Sequence, residues 1–599
     1  MSPRTGASIA AAGLFLVAVL GWLAFRGSTA SPDAAPTGSA VAGLPGGAEL
    51  ADAIGLMLRD PATPGDDLPD IPGLPERARG LAYVALRVGG ERVATAWNEG
   101  ATPAQALAAA LAEARDDLDE GRRKHITTVE VAVAGPEVPA PEDGSGVAAN
   151  IDRGVLGIGI TLDDGQVRWI SPTQIVADNT SFARVIERLF EDGELATRTL
   201  PPDRFQLFEA TQLLVDLGRS SVIPMERGNQ LVPADAVTPR AAQTLSDGMS
   251  EWLVRQLGDD GRMVYEYWPS RGEESAANNM IRQWMATIAL TRVAAARGDA
   301  ELETRVAGNV AYNLGISYRE ENGLGLIADP DGDVKLGAVA LAALAISEHP
   351  SRARFAAEEA ALRRTVDHLW QSDGSFVTFF LPTGRNDNQN FYPGEALLLW
   401  ASTLEEQEDP ALLDKFMTSF RYYRAWHREQ PNPAFVPWHT MAYEKVWELT
   451  EDPELRDFVF EMNDWLLDMQ QWDEAPAPDA AGRFYNPERP DYGPPHASSD
   501  GVYLEGLISA YRLASAVGDQ ARTEAYREAI ARGLRHLMQL QFADEVDMYY
   551  VSKPARVSGG LRTTVYDNII RVDNVQHGLL AVLDILEAFE AADYAISPP

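Results

Sequence analysis

The 599-residue sequence predicts a mainly α protein. Its C-terminal part reads as a closed ring of six helical hairpins, preceded by a small α+β domain and an N-terminal transmembrane or signal segment. Three observations carry this. Residues 7–25 hold no charge and are bracketed by Arg4 and Arg26. Residues 48–225 alternate strand-like runs with amphipathic helical ones. From 239 to 592 nearly everything has helical periodicity, with charged helices alternating with helices that have no solvent face.

The uncharged run at 7–25 is long enough to span a bilayer. With Arg4 inside, the bulk of the chain would lie outside the cytoplasm, so the expected location is the cell envelope. A signal peptide cleaved after the small residues Ser28-Thr29-Ala30 is the alternative, which would leave a secreted protein. The N-terminal segment is therefore 1–27, followed by an Ala-, Pro-, Gly- and Ser-rich linker at 28–47.

In the α+β domain, 81–87 and 92–97 flank Gly89-Gly90, a hairpin signal. Thr102-Pro103 opens a helix with a capping residue and proline at the first helical position. A second hairpin turns through Asp163-Asp164-Gly165, and a helix follows from about 181 to 190, so the unit reads as a possible duplication. No phosphate-cradling loop or nucleophile elbow appears in it, and binding or docking is its expected role. Residues 226–238 read as a linker.

The helices of the C-terminal part are predicted in pairs: 239–257 with 279–296, 301–317 with 335–347, 353–371 with 393–405, 410–429 with 438–449, 453–471 with 500–516, and 519–541 with 574–591. The second helices begin near 279, 335, 393, 438, 500 and 574, a period of several tens of residues. In each pair the first helix carries the charges, as at Arg305, Arg363 and Glu524. The second is apolar all round, as at 338–345 and 397–399. Such alternation favours closure, with wet helices outside and dry ones lining a core.

Composition excludes several functions. Without cysteine there are no disulfides, thiol nucleophiles or zinc–thiolate sites. Eight histidines, none at HExxH spacing, make a histidine-built metal site a poor reading. A net charge of −37 argues against nucleic acid as a partner.

Chemistry-bearing residues gather before and within the first turns of the second helices. Asn390-Phe391-Tyr392-Pro393-Gly394-Glu395 places Glu395 in a first turn, where the helix dipole favours an anion. The other segments supply Tyr267, Trp268, Asn279 and Arg282, then Trp438 and His439, then His496, Asp500, Tyr503 and Glu505, and finally Arg571, Asp573, Gln576 and His577. Singly, Asp500 and Asp573 are good helix caps, and His439 or His577 could be a satisfied core histidine. Their convergence on one rim is what points to a site. Asp329, Asp331 and Asp333 alternate in a loop where a calcium is conceivable, but a solvated turn is the preferred reading, and no cofactor is expected.

Six such hairpins resemble the six-hairpin, or (α/α)6 toroid, superfamily of glycosidases, polysaccharide lyases and sugar epimerases, over about 239–592. Toroids also include lanthionine cyclases, whose zinc site needs cysteine, and terpenoid cyclases, whose acidic motifs are missing from the helical part. The one DDxxD match, Asp66 to Asp70, lies in a proline-rich stretch outside it. The resemblance implies a carbohydrate substrate. Hydrolysis would use paired carboxylates, with Glu395 as acid and Asp500 or Asp573 as base. A uronic-acid lyase or C5-epimerase is the runner-up, with Tyr392, His439 or His496 as base and Asn279, Arg282 and Arg571 holding the carboxylate. A non-catalytic glycan- or protein-binding envelope protein is the third reading.

Overall fold

The computed structural model describes residues 43–60, 68–139 and 153–597. The expected membrane segment at 7–25, residues 28–42 of the expected linker and the start of the Asp66–Asp70 run lie outside them. Among the described residues no helix is long and apolar enough to cross a membrane.

The N-terminal part is one seven-stranded antiparallel sheet carrying helices. Strands β1 (Leu81–Val88) and β2 (Glu91–Glu99) form the expected hairpin, with Gly89 and Gly90 at φ of 55° and 85°. A side chain at Gly90 would also collide with the backbone of Val551, so that turn needs glycine twice over. The middle of the sheet is β3 (Thr128–Val138) and β6 (Phe205–Asp216), which the hairpin reading did not anticipate. Around them lie β4 (Leu156–Thr161), β5 (Val167–Ile170) and β7 (Ser221–Met225). The order is β2-β1-β3-β6-β4-β5, with β7 also on β6, so the two hairpins occupy opposite ends of a single sheet. Helices α1 (Gly47–Arg59) and α2 (Pro103–Asp116) bury Leu50, Ile54, Leu107 and Leu111 against Val84, Leu86 and Val131. The Thr102 hydroxyl accepts the Gln105 N–H, as the capping pattern requires. The short α3 (Pro172–Ala177) and α4 (Phe182–Glu191) cover the β4–β5 end.

Twelve long helices follow among the described residues: α5 (Pro239–Gln256), α6 (Met280–Arg297), α7 (Ala300–Ser317), α8 (Leu336–Glu348), α9 (Ala356–Leu369), α10 (Tyr392–Glu406), α11 (Pro410–Glu429), α12 (Val436–Thr450), α13 (Pro453–Leu467), α14 (Ala497–Ala516), α15 (Gln520–Leu540) and α16 (Val572–Ala588). The even-numbered helices pack side by side in the order α6, α8, α10, α12, α14, α16, and α16 packs back on α6. The inner ring is closed, and its dryness is visible in α8, where every residue from Leu336 to Ile346 is buried. The odd-numbered helices surround it.

Pairing by packing differs from pairing by order. Four of the odd helices pack mainly on the inner helix before them, although Arg363 of α9 also bonds Thr403 of α10 and Phe420 of α11 packs on Tyr443 of α12 at 5.0 Å; α13 packs on both its neighbours, and α5 closes the outer layer against α16. Short turns dictate this, since most outer helices are separated from the previous inner one by only two or three residues. Their start signals are Asp299, Asp409-Pro410, Asp452-Pro453 and Asp519. Asp409, for example, accepts the N–H groups of Ala411 and Leu412 at 3.0 Å each. The longer connections, 257–279, 318–335, 370–391, 468–496 and 541–571, all gather at the other end of the ring.

The two parts share a core in which Leu214, Ile223 and Met225 join the apolar cluster of the helices. Asn179 donates to Asp567 at 2.9 Å and Asn568 to the Val176 carbonyl at 3.0 Å. The 226–238 stretch, expected as a linker, is clamped along α15. Arg535 donates twice to the Val232 carbonyl, at 2.8 and 2.6 Å, and Gln539 bonds the backbone of both Gln230 and Val232.

Candidate active site

The rim is tied together by a small sheet. Strand β8 (Glu266–Trp268) is flanked by β9 (Glu273–Glu274) on one side and, on the other, by β11 (Asp567–Arg571), which also pairs with β10 (Arg562–Thr564). The first and last rim segments therefore lie edge to edge, with Glu266 opposite Arg571. The pairing delivers the best-defined cluster of the rim. Asp573, in the first turn of α16, receives Arg571 through two bonds of 3.0 and 2.8 Å and Arg282 of α6 at 2.9 Å. Burial pushes the Asp573 carboxyl up, but the two guanidinium groups outweigh it and hold the group below the usual carboxylate range. Arg282 also bonds the Tyr265 hydroxyl, and its own N–H is capped by Asn279 at 3.2 Å.

A helix turns about 100° per residue, so Asp573, Gln576, His577 and Asp584 form one stripe along α16. The facing stripe on α14 is Ser498, Glu505 and Arg512. The two helices can meet so closely because Gly501 lies against Gly578, where a side chain would stand 2.6 Å from the backbone nitrogen. Along this seam Arg571 reaches Ser498, His577 Nδ1 lies 2.6 Å from Glu505 Oε1, and Arg512 lies 3.6 Å from Asp584. Burial raises the Glu505 carboxyl while His577 opposes it. The Trp438 ring stands edge-on to His577 at 5.9 Å. Gln576 is wholly buried with both ends of its amide unpartnered, a polar group without a protein mate.

Glu395 lies across the ring, on α10, three inner helices away from α16 in either direction. It is 3% exposed, and Oε2 has no hydrogen-bond partner. Gly337 of α8 makes room for it, since a side chain there would lie 1.7 Å from Oε2. Desolvation outweighs the helix dipole and raises this carboxyl to about 8. Tyr392, one turn earlier, packs on Phe379 at 5.7 Å and is raised beyond the ordinary phenol value by burial and by Glu395.

Other expected residues are not brought to this cluster. Asp500 turns away from the ring's axis: Oδ1 accepts the Phe484 N–H at 2.8 Å, and Oδ2 is 3.5 Å from His536 on the outer helix α15. Its carboxyl is raised to about 7 by burial, but it is set in the wall and corrects the expectation of Asp500 as a base. Tyr503 lies beside it, against Phe484. His439 is likewise corrected. Stacked on Phe435 at 3.5 Å and bonded to that residue's carbonyl, it is pushed down to about 3 by burial and is a neutral core histidine. His496 caps α14, accepting the Ser499 N–H at 3.1 Å, and is lowered to about 4 by burial, with Arg571 adding to it. It belongs to the rim as a hydrogen-bonding group and not as a base at neutral pH. Tyr267 is buried beneath Arg556, and Trp268 lies under Arg271 at 4.8 Å.

The Asp329–Asp333 loop spends its carboxylates on protein partners. Asp329 takes Lys335 at 2.5 Å and the Met280 N–H at 2.9 Å, and Asp333 takes Arg385. Among the described residues no group of three or more His, Asp or Glu could hold a metal ion. The Glu505–His577 dyad is the feature that residue-by-residue reading missed. Both members were candidates, but their union depends on the glycine contact between two helices far apart in the chain.

No family model matches the chain, and neither does any curated protein. Solved structures similar to it include an unsaturated glucuronyl hydrolase from Streptococcus agalactiae (11% identity, covering 59% of this chain and 94% of that one, TM-score 0.41). They also include the GH76A α-1,6-mannanase of Salegentibacter sp. HEL1_6 (10%, 58% and 98%, 0.39) and a D-mannose isomerase (10%, 58% and 97%, 0.43). Likeness at this level carries no argument about reaction or substrate, and the six-hairpin ring stands on its own helix packing.

Proposed function

We propose that the ring is the catalytic part of a carbohydrate-active enzyme that hydrolyses a glycosidic bond in a poly- or oligosaccharide. The carrying observation is the pair of carboxyl groups in first turns of opposing inner helices with opposite protonation. Glu395 is raised to about 8 and holds its proton at neutral pH, whereas Asp573 is kept ionised by Arg282 and Arg571. Glycoside hydrolysis asks for that division: one acid to protonate the leaving oxygen and one carboxylate to activate water or attack. Trp438 offers a sugar ring an apolar face, while Asn279, His496, Gln576 and His577 offer polar contacts.

A second reading is favoured by the Glu505–His577 dyad. A histidine oriented by a buried carboxylate, beside the Arg282–Arg571 pair, suits proton abstraction next to a substrate carboxylate, as in a uronic-acid lyase or epimerase. In this version His577 takes the role that His439 and His496 cannot fill.

The experiment is a panel of neutral, amino and uronic polysaccharides assayed for new reducing ends, for the absorbance of an unsaturated uronate, and for deuterium exchange at C5. Hydrolysis predicts reducing ends alone, with both Glu395→Gln and Asp573→Asn lowering turnover by about 10²–10⁴-fold while substrate is still bound. Elimination or exchange abolished by His577→Ala and retained in Glu395→Gln would replace hydrolysis with the second reading. Binding without turnover would make the protein a glycan binder. The uncharged run at 7–25 further supports an exported, membrane-anchored chain, which protease accessibility in intact cells would test.

A further inference from the structure

The N-terminal sheet holds a cavity separate from the ring. Its two outermost strands, β2 and β5, stand at opposite ends of the strand order, yet they meet: the rings of Trp97 and Trp169 are 6.3 Å apart. The sheet has curled until its edges face each other. Small residues on its inner face allow the curl, with Ala85, Ala132 and Ala134 buried there and Ala210 half-buried beside them. On β4, Gly157 and Gly159 let the rings of Phe208 and Trp169 lie on bare backbone, since a side chain would come within 2.2 and 2.5 Å of them.

Between the two edges lies a cavity of about 660 Å³, lined by Tyr83, Trp97, Trp169, Gln174, Thr180 and Arg188 among others. Its polar groups are unfinished. Tyr83 is 1% exposed and Thr180 7%, and neither hydroxyl has a partner; nor does the Trp97 indole nitrogen. Buried polar groups are normally hydrogen-bonded, so two hydroxyls and an indole N–H left unpartnered on residues that line one space set this cleft apart. The charged residues of the lining balance, Glu113 and Asp178 against Arg168 and Arg188, with Asp178 paired to Arg92 at 3.0 Å and Arg168 to Glu194 at 2.6 Å. An ionic ligand is therefore not what the walls call for. Aromatic faces beside hydroxyl, amide and guanidinium donors suit an uncharged polyhydroxylated ring, whose C–H face stacks and whose hydroxyls take the donors.

We propose that this cleft is a second, non-catalytic carbohydrate site that binds uncharged sugar residues, whatever reaction the ring performs. The test is calorimetric titration of the full-length protein with cellohexaose, mannohexaose, xylohexaose and chitohexaose, followed by the same titrations of variants. Trp169→Ala is expected to weaken binding roughly tenfold. Because Trp169 also packs the sheet, the Gln174→Ala/Arg188→Ala double variant, which removes only lining donors, provides the independent check and is expected to weaken it as well. Asp573→Asn, at the ring, should leave this affinity unchanged. Affinity that falls in Asp573→Asn and survives the cleft variants would overturn the proposal, and so would the absence of binding to all four sugars. Reducing-end assays on the same four sugars report on the ring separately, so the two readings fail independently.

Discussion

Glu395 shows how one side chain's protonation is decided by its surroundings. A first-turn glutamate ought to be more acidic than usual, yet enclosure against Gly337 without a hydrogen-bond partner raises it to about 8. The folded chain thus keeps a proton that the unfolded chain releases above its ordinary value of 4.5. Rising pH therefore favours unfolding across the window from 4.5 to about 8, and this contribution is lost by its upper end. Glu395→Gln removes the linkage and keeps the shape. Its melting temperature relative to the native protein is expected to climb as pH rises from 5 to 8, and parallel melting curves would rule out the raised value. Asp573 sits a similar distance into its helix and ends with the opposite protonation because two arginines face it.

Among the helices, glycine positions separate packing from propensity. Gly501 brings α14 against α16, and a side chain there would meet the backbone of Gly578 at 2.6 Å. Gly501→Ala is expected to destabilise by about 1–3 kcal/mol through overpacking, and to open the Glu505–His577 contact. Gly308 and Gly315 lie in α7 with open space at the same position. Replacing either with alanine should stabilise by about 0.5–1 kcal/mol, since only helix propensity changes. Chemical denaturation of the three variants checks both signs, and loss of stability in the α7 variants would contradict the packing described. The inner helices tolerate no such freedom, because their residues touch neighbours on every side.

At the scale of the whole molecule the N-terminal sheet and the ring are joined by buried charge as well as by apolar contact. Arg227, just after β7, lies 2.9 Å from Asp479 in the 468–496 rim segment, and both are at most 2% exposed. Breaking a buried ion pair is costly, so Asp479→Ala is expected to destabilise by about 3–5 kcal/mol. Because the contact spans both parts, calorimetry should show the whole heat absorption moving to lower temperature. A variant in which only one part's transition moved would mean that the two parts fold independently.

The amino-acid order alone determined the number of hairpins, the helix starts and the alternation of wet and dry helices. Those properties are local: an Asp-Pro cap or an apolar run such as Leu336–Ile346 acts within a few residues. The hairpin at Gly89-Gly90 was legible for the same reason. The central strand β3 was not, because a strand buried on both faces lacks the alternation that marks an edge, and β6 mixes buried runs with half-buried ones in no regular alternation. The rim was legible as a set of residues, since polar and aromatic groups stand out before apolar helices. Which of them act together was decided only by the tertiary structure. Helical rotation turns Asp500 into the wall and Glu505 toward His577, although the two lie five residues apart. Burial then fixes whether Glu395 and His439 carry a proton, and two arginines brought from separate segments fix it for Asp573; both are properties of the closed ring that no single segment contains.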